Sequence, residues 1–166
     1  MGILDTISDN ISLLLPWVIV DENEAGVLLR FGRYRYDLYP GFKWKIPIFD
    51  RALTANVTSQ QIDLPCQSIT LQDGRSLVIS GTIRYTIRNA RKALLGVQDY
   101  DESLQECAMG LISTEFRGVP KDFKDFLKIE KDIEGIVSER ALSWGMRVED
   151  FFFTDFAEHW CVRMVE

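Results

Sequence analysis

Residues 20–51 read VDENEAGVLLRFGRYRYDLYPGFKWKIPIFDR, and the order of features in this stretch decides the fold. An acidic turn leads into the apolar run Ala25 to Phe31, a strand broken at Gly32. Pro40-Gly41 is turn chemistry, because proline presets φ and glycine accepts a positive φ. Beyond it Phe42, Trp44 and Ile46 alternate with Lys43 and Lys45. Period two puts the apolar side chains on one face of a strand and the lysines on the other. Pro47 confines this strand to an edge or ends it. The expectation is a half-buried β-meander with solvated lysines.

Downstream, Ile62 to Arg88 reads as a β-hairpin around Asp73-Gly74, a two-residue turn signal. Leu77, Ile79, Ile83, Tyr85 and Ile87 alternate with Ser80, Thr82, Arg84, Thr86 and Arg88, and Gly81 marks a bulge or a close approach. The period then changes. A short helix is expected over 90–95 and a longer one over 100–117, with Leu104, Cys107, Ala108, Leu111, Ile112 and Phe116 on one stripe. Gly118 and Pro120 close that helix. A third is expected over roughly 122–143, carrying Phe126, Ile129, Ile133, Val137 and Arg140 on one side. Gly145 suits a left-handed C-cap, and a strand follows over 146–153. In the tail, Phe156, Trp160 and Met164 fall at the spacing of a short helix.

The opening stretch, the run LPCQSITLQDGRSLVISGTIRYTIRNA and the helix-to-strand passage SERALSWGMRVEDFFFTD together resemble the SPFH (band 7) domain of stomatin, prohibitin and flotillin. The likeness covers about residues 20 to 156, in order and at the right spacings. It implies an α+β fold: two β-rich or α-β subdomains behind an amphipathic N-terminal segment. The divisions are expected at 1–20 for the segment, 21–70 for the first subdomain and 71–166 for the second. SPFH proteins usually continue into a long coiled coil; the tail FAEHWCVRMVE is too short for one, so none is expected here. The resemblance also implies a membrane-linked scaffold and not an enzyme, with a hydrophobic segment ahead of the domain that enters one leaflet.

Charge and patterning bear on the same question. The net charge of −6 argues against bulk binding of nucleic acid. Within it, residues 1–29 hold five acids and no base, whereas residues 30–51 hold six bases against two acids, a segment of net +4. Arg33, Arg35, Lys43 and Lys45 are its candidate surface for self-association or for lipid head groups; solvated strand residues are the plain alternative. Ahead of it, Ile3, Leu4, Ile7, Ile11, Leu14, Leu15 and Val18 fall within an arc of about 120° on a helical wheel. With Trp17, which suits an interface, they are the candidate residues for membrane or partner attachment. Pro16 interrupts the apolar core Ile11 to Val20, which is about half the ~20 residues that span a bilayer, so a membrane mode must be monotopic. The acidic polar face leaves docking on a partner or another subunit as the rival mode.

Chemistry-bearing constellations are missing. The single histidine, His159, would have to serve any Ser-His-Asp or Cys-His mechanism. Asp155, His159 and Cys161 do not share one helical face, and a fourth metal ligand is not nearby. Cys66, Cys107 and Cys161 form no CxxC pair, the scatter of reduced thiols. No phosphate-loop, dinucleotide or zinc-protease motif occurs, so no cofactor and no metal are expected. The reading is a non-enzymatic scaffold, a homo-oligomer larger than a dimer on the cytoplasmic side of a membrane. A membrane protein or membrane-bound protease is the partner type that the resemblance implies. The alternative is a soluble structural ring or packing component of a larger particle, such as a viral one.

Overall fold

The computed structural model describes residues 15–71, 76–117 and 126–159. They form an α+β fold, and no long coiled coil is found among them. The chain divides into two compact units.

The first unit takes in residues 15–58 and 87–98. Its strands are β1 (Trp17–Val20), β2 (Glu24–Arg30), β3 (Arg33–Leu38), β4 (Gly41–Trp44) and β5 (Asp50–Asn56), joined by helix α1 (Ala90–Gly96). They make two small antiparallel sheets, β1-β4 and β3-β2-β5. Val27 and Leu28 are adjacent and both fully buried, so both faces of β2 are covered. Leu28 packs with Val20, Leu38 and Ala52, while α1 lies across β2 and β5 and buries Ala93. Asn89 starts α1 by accepting a hydrogen bond from the Lys92 amide. Gly41 has φ 109°, as the Pro40-Gly41 turn requires.

The second unit takes in residues 59–86 and the described residues from 99 onward. Strands β6 (Gln60–Thr70), β7 (Ser76–Ile87) and β8 (Met146–His159) form a sheet in the order β6-β7-β8, and helices α2 (Tyr100–Arg117) and α3 (Phe126–Ser143) pack on it and on each other. The hairpin and α2 fall where the sequence places them; the turn Asp73-Gly74 and the closing residues Gly118 and Pro120 lie outside the described residues. The expected boundary after residue 70 separates β6 from β7, which pair from Gln60↔Tyr85 to Thr70↔Ser76.

The hydroxyl-bearing residues of β7 are packed, whereas Arg84 is exposed. Ser80, Thr82 and Thr86 are buried, because β7 is the central strand. Thr82 donates to Asp63 at 3.1 Å, Ser80 lies 2.9 Å from the Thr154 hydroxyl, and Arg84 pairs with Asp150 at 3.0 Å. On the other side Tyr85 is fully buried and its hydroxyl donates to Asp101, while Asp99 caps α2 by accepting from the Asp101 and Glu102 amides. Gly81 is a close approach: a Cβ there would lie 3.0 Å from the Phe152 carbonyl oxygen.

Three helix and tail details differ from expectation. The buried stripe of α3 runs Ile129, Ile133, Val137, Ala141; Arg140 is exposed, its stripe position taken by the next residue. Cys107 is half-buried, with the Arg140 guanidinium 3.8 Å from its sulfur. The chain from Phe156 to His159 continues β8 and does not turn helical; Trp160 and Met164 lie outside the described residues. Gly145, with φ 83°, ends α3 as a left-handed cap, its amide donating to the Leu142 carbonyl.

Candidate interfacial face of the first unit

The β1-β4 sheet is in register Trp17↔Trp44, Val18↔Lys43, Ile19↔Phe42. Paired residues project to the same side, so one face carries Trp17, Ile19, Phe42 and Trp44. That face is bare: Ile19 is 66% exposed and Trp44 67%. Trp44 makes edge-to-face contacts with Trp17 at 6.4 Å and Phe42 at 5.2 Å, which fixes the rings as a wall. Ile46, exposed and in the same alternation, extends it.

Period two in 42–46 is therefore right and its direction is inverted. The aromatics face out, Lys43 is half-buried opposite Val18, and Lys45 is buried. The reason is Asp50, a fully buried carboxylate. Arg30 grips it with Nε at 2.7 Å and Nη2 at 2.9 Å, and the Ile46 amide donates to it at 2.8 Å. Burial pushes the Lys45 ammonium pKa down and the charge of Asp50 opposes that shift. Lys45 is thus part of the scaffold and not of a basic surface. Arg33 and Arg35 are exposed on β3, as expected.

Of the expected attachment residues, Leu15 and Trp17 are exposed and Val18 is half-buried on the inner side. Ile3, Leu4, Ile7, Ile11 and Leu14 lie outside the described residues. The stretch expected as a separate segment, 1–20, includes β1, whose Val20 is core. Ile19, Phe42 and Trp44 were not foreseen as site residues. The signal that finds them is the dipeptide-by-dipeptide match of Trp17-x-Ile19 with Phe42-x-Trp44 across an antiparallel pair.

Between β2 and β3, Phe31 and Gly32 join Arg30 to Arg33, and both have positive φ, 51° and 74°. Ile48, between Pro47 and Phe49, has φ 72°. Among the described residues Phe31 and Ile48 are the non-glycine residues with positive φ. A bulky or β-branched residue there is strained by about 1–3 kcal/mol. The Phe31 amide donates to the Phe49 carbonyl at 2.9 Å, and the two rings lie 4.9 Å apart.

Hydrogen bonding to Arg30 holds the Asp50 carboxyl below its ordinary pKa, outweighing burial, which acts the other way. A depressed carboxylate contributes stability above its unfolded pKa of about 3.9 and loses it as pH falls through the folded value. Asp50→Asn should therefore cost about 2 kcal/mol at pH 7, less than a deeply buried pair because Arg30 reaches solvent. The gap to wild type should narrow below pH ~4. Urea melts at both pH values measure it; a gap independent of pH would show that the charge is not what matters.

Among the described residues no helix is long and apolar enough to cross a membrane, and no group of three or more His, Cys, Asp or Glu side chains is placed to hold a metal ion. Asp155 accepts from the Ser80 hydroxyl at 3.1 Å, and His159 ends β8. A family model described as SPFH domain / Band 7 family matches residues 18–157. The chain belongs to the SPFH family. Members of that family are usually membrane-associated scaffolds and generally not enzymes. The SPFH chain is 25% identical over 138 residues to an uncharacterized protein of Methanocaldococcus jannaschii, covering 80% of this chain and 67% of that one. It is 28% identical over 133 residues to the mitochondrial stomatin-like protein 2 of Rattus norvegicus, covering 78% of this chain and 38% of that protein. A stomatin homolog of Pyrococcus horikoshii is 24% identical over 132 residues, with 78% and 50% covered. The chain thus spans well under two thirds of the stomatin-type relatives.

Proposed function

We propose that this chain is a non-enzymatic SPFH scaffold that docks peripherally on the cytoplasmic side of a membrane, self-associates beyond a dimer and organises or regulates membrane proteins there. The observation that carries the reading is the bare aromatic face of β1 and β4. Trp17, Ile19, Phe42 and Trp44 offer water a contiguous apolar surface of the kind that marks an interaction site. Tryptophan favours the level of the lipid head groups. The apolar stripe that the sequence carries through residues 3–18 runs directly into this face, so the attachment element and the wall are contiguous in the chain.

Self-association has a different basis. Arg33 and Arg35 are exposed on β3, an edge strand, in a protein of net charge −6. Head-to-tail contact between this basic edge and an acidic part of a neighbour is heterologous and closes into a ring when the rotation allows.

Flotation tests the reading. The purified chain should rise with anionic vesicles in the absence of any other protein. In detergent at low salt, light scattering should give a mass above a dimer. That mass should fall in 1 M salt, where the Debye length shrinks from about 10 Å at 0.1 M to about 3 Å. A monodisperse monomer that stays at the bottom of the gradient would sink it. An oligomer that does not float would favour the soluble packing component instead.

A further inference from the structure

The two strained non-glycine residues are also among the most exposed large apolar ones, Phe31 at 72% and Ile48 at 68%. They belong to one substructure, since Phe31 is tied to Phe49, the neighbour of Ile48, by a backbone hydrogen bond and a ring contact. Local chemistry does not favour either residue. Phe31-Gly32 occupies the two central positions of a two-residue hairpin turn with positive φ at both, where Asn-Gly is the comfortable pair. Ile48 is β-branched in the left-handed region, where glycine or asparagine would sit without strain. Neither side chain is retained for the core. Residues that break a local rule without a folding benefit mark function.

Behind this tip stand Arg33 and Arg51, both exposed, at the first and second positions of β3 and β5. An apolar point with a cationic collar matches a bilayer that carries anionic head groups. The apolar residues enter the acyl boundary and the guanidinium groups meet phosphate. The pair Arg30–Asp50 fixes the base of the loop, because Asp50 holds the Ile46 amide at 2.8 Å and its own amide donates to the Ile46 carbonyl at 2.9 Å.

We propose that Phe31, Ile48 and Phe49 form a preset wedge that enters an anionic lipid bilayer, with Arg33 and Arg51 on its head groups. This rests on the membrane reading above and names the lipid class and the element that inserts. Because the wedge is already held in shape, insertion orders little that was not ordered before.

The test uses the full chain with vesicles of phosphatidylcholine alone and of phosphatidylcholine with phosphatidylglycerol. Phe31→Asn and Ile48→Gly should each raise the melting temperature by about 3 °C. Each should also weaken partitioning into the anionic vesicles by about tenfold. A merely structural role cannot produce this opposite movement. Arg33→Gln with Arg51→Gln should abolish the preference for anionic vesicles. If wild type binds and the two tip variants bind equally well, the wedge is refuted and the membrane reading stands. Lower melting temperatures in both variants would refute it too. A smaller oligomer with unchanged lipid binding would make the tip a protein contact and overturn the proposal. Wild type that binds neither vesicle removes the membrane reading and the wedge with it.

Discussion

Ile19→Asp with Trp44→Asp should cut partitioning into vesicles by about 100-fold and leave the melting temperature close to that of wild type. The size follows from two large apolar side chains, each worth about 1.5 kcal/mol when partly buried, and every 1.4 kcal/mol is tenfold in affinity. The small effect on folding follows from exposure: both side chains stand on the bare face and neither belongs to the core around Val20, Leu28 and Leu38. Val20→Asp, two positions beyond Val18 and on the inner side, should do the reverse and unfold the first unit, since an unpaired charge would enter an apolar core. Thermal melts beside flotation separate the two outcomes. Equal partitioning by the Ile19/Trp44 double variant would show that the wall is not the contact face.

The second large effect is on stability. Gly26→Ala should destabilise the protein by about 3 kcal/mol, because a Cβ at that position would overlap the Leu53 carbonyl of the paired strand. Gly26 stands in the middle strand, between Leu38 on β3 and Thr54 on β5, so neither neighbour can move aside without breaking a pairing. Its φ is not positive, so the requirement is for space and not for a left-handed backbone. By contrast Gly96→Ala, where a Cβ meets nothing within 4 Å, should be near neutral. Denaturant midpoints of the two variants give the comparison; a Gly26→Ala midpoint equal to wild type would mean that β2 and β5 are not paired in this register.

Elements with local punctuation were legible from the residues. Helix α2 was placed from its stripe, and the turn at Gly41 and the cap at Gly145 from glycine's tolerance of positive φ. The order of blocks was enough for the SPFH family. What escaped was long-range. The period of 42–46 was plain, but which side faces the core depends on Asp50, whose partner Arg30 is 20 residues away. Without that buried carboxylate, aromatics in and lysines out is the ordinary choice. Likewise the alternation in β7 does not say where its hydroxyls go; their partners come from β6 and β8, which flank it. Phe31 and Ile48 could not be found by turn chemistry, since neither residue type announces a left-handed backbone.

The pairing of β1 with β4 also has a mechanical consequence. The two strands are antiparallel, and their joint begins at the end where the Lys45 amide donates to the Pro16 carbonyl at 2.9 Å. Just beyond Lys45 the chain is clamped by Asp50 to Arg30 and Ile46. Tension applied through the residues before Pro16, against that clamp, loads both strands from the same end. Hydrogen bonds then open one after another, as in peeling, and not together, as in shear. The rupture force of such a joint is set by one bond at a time, and release would proceed from Trp17 toward Val20 before it reached the core. A pull on an attached N-terminus would therefore dismantle the aromatic wall first and leave the β3-β2-β5 sheet standing.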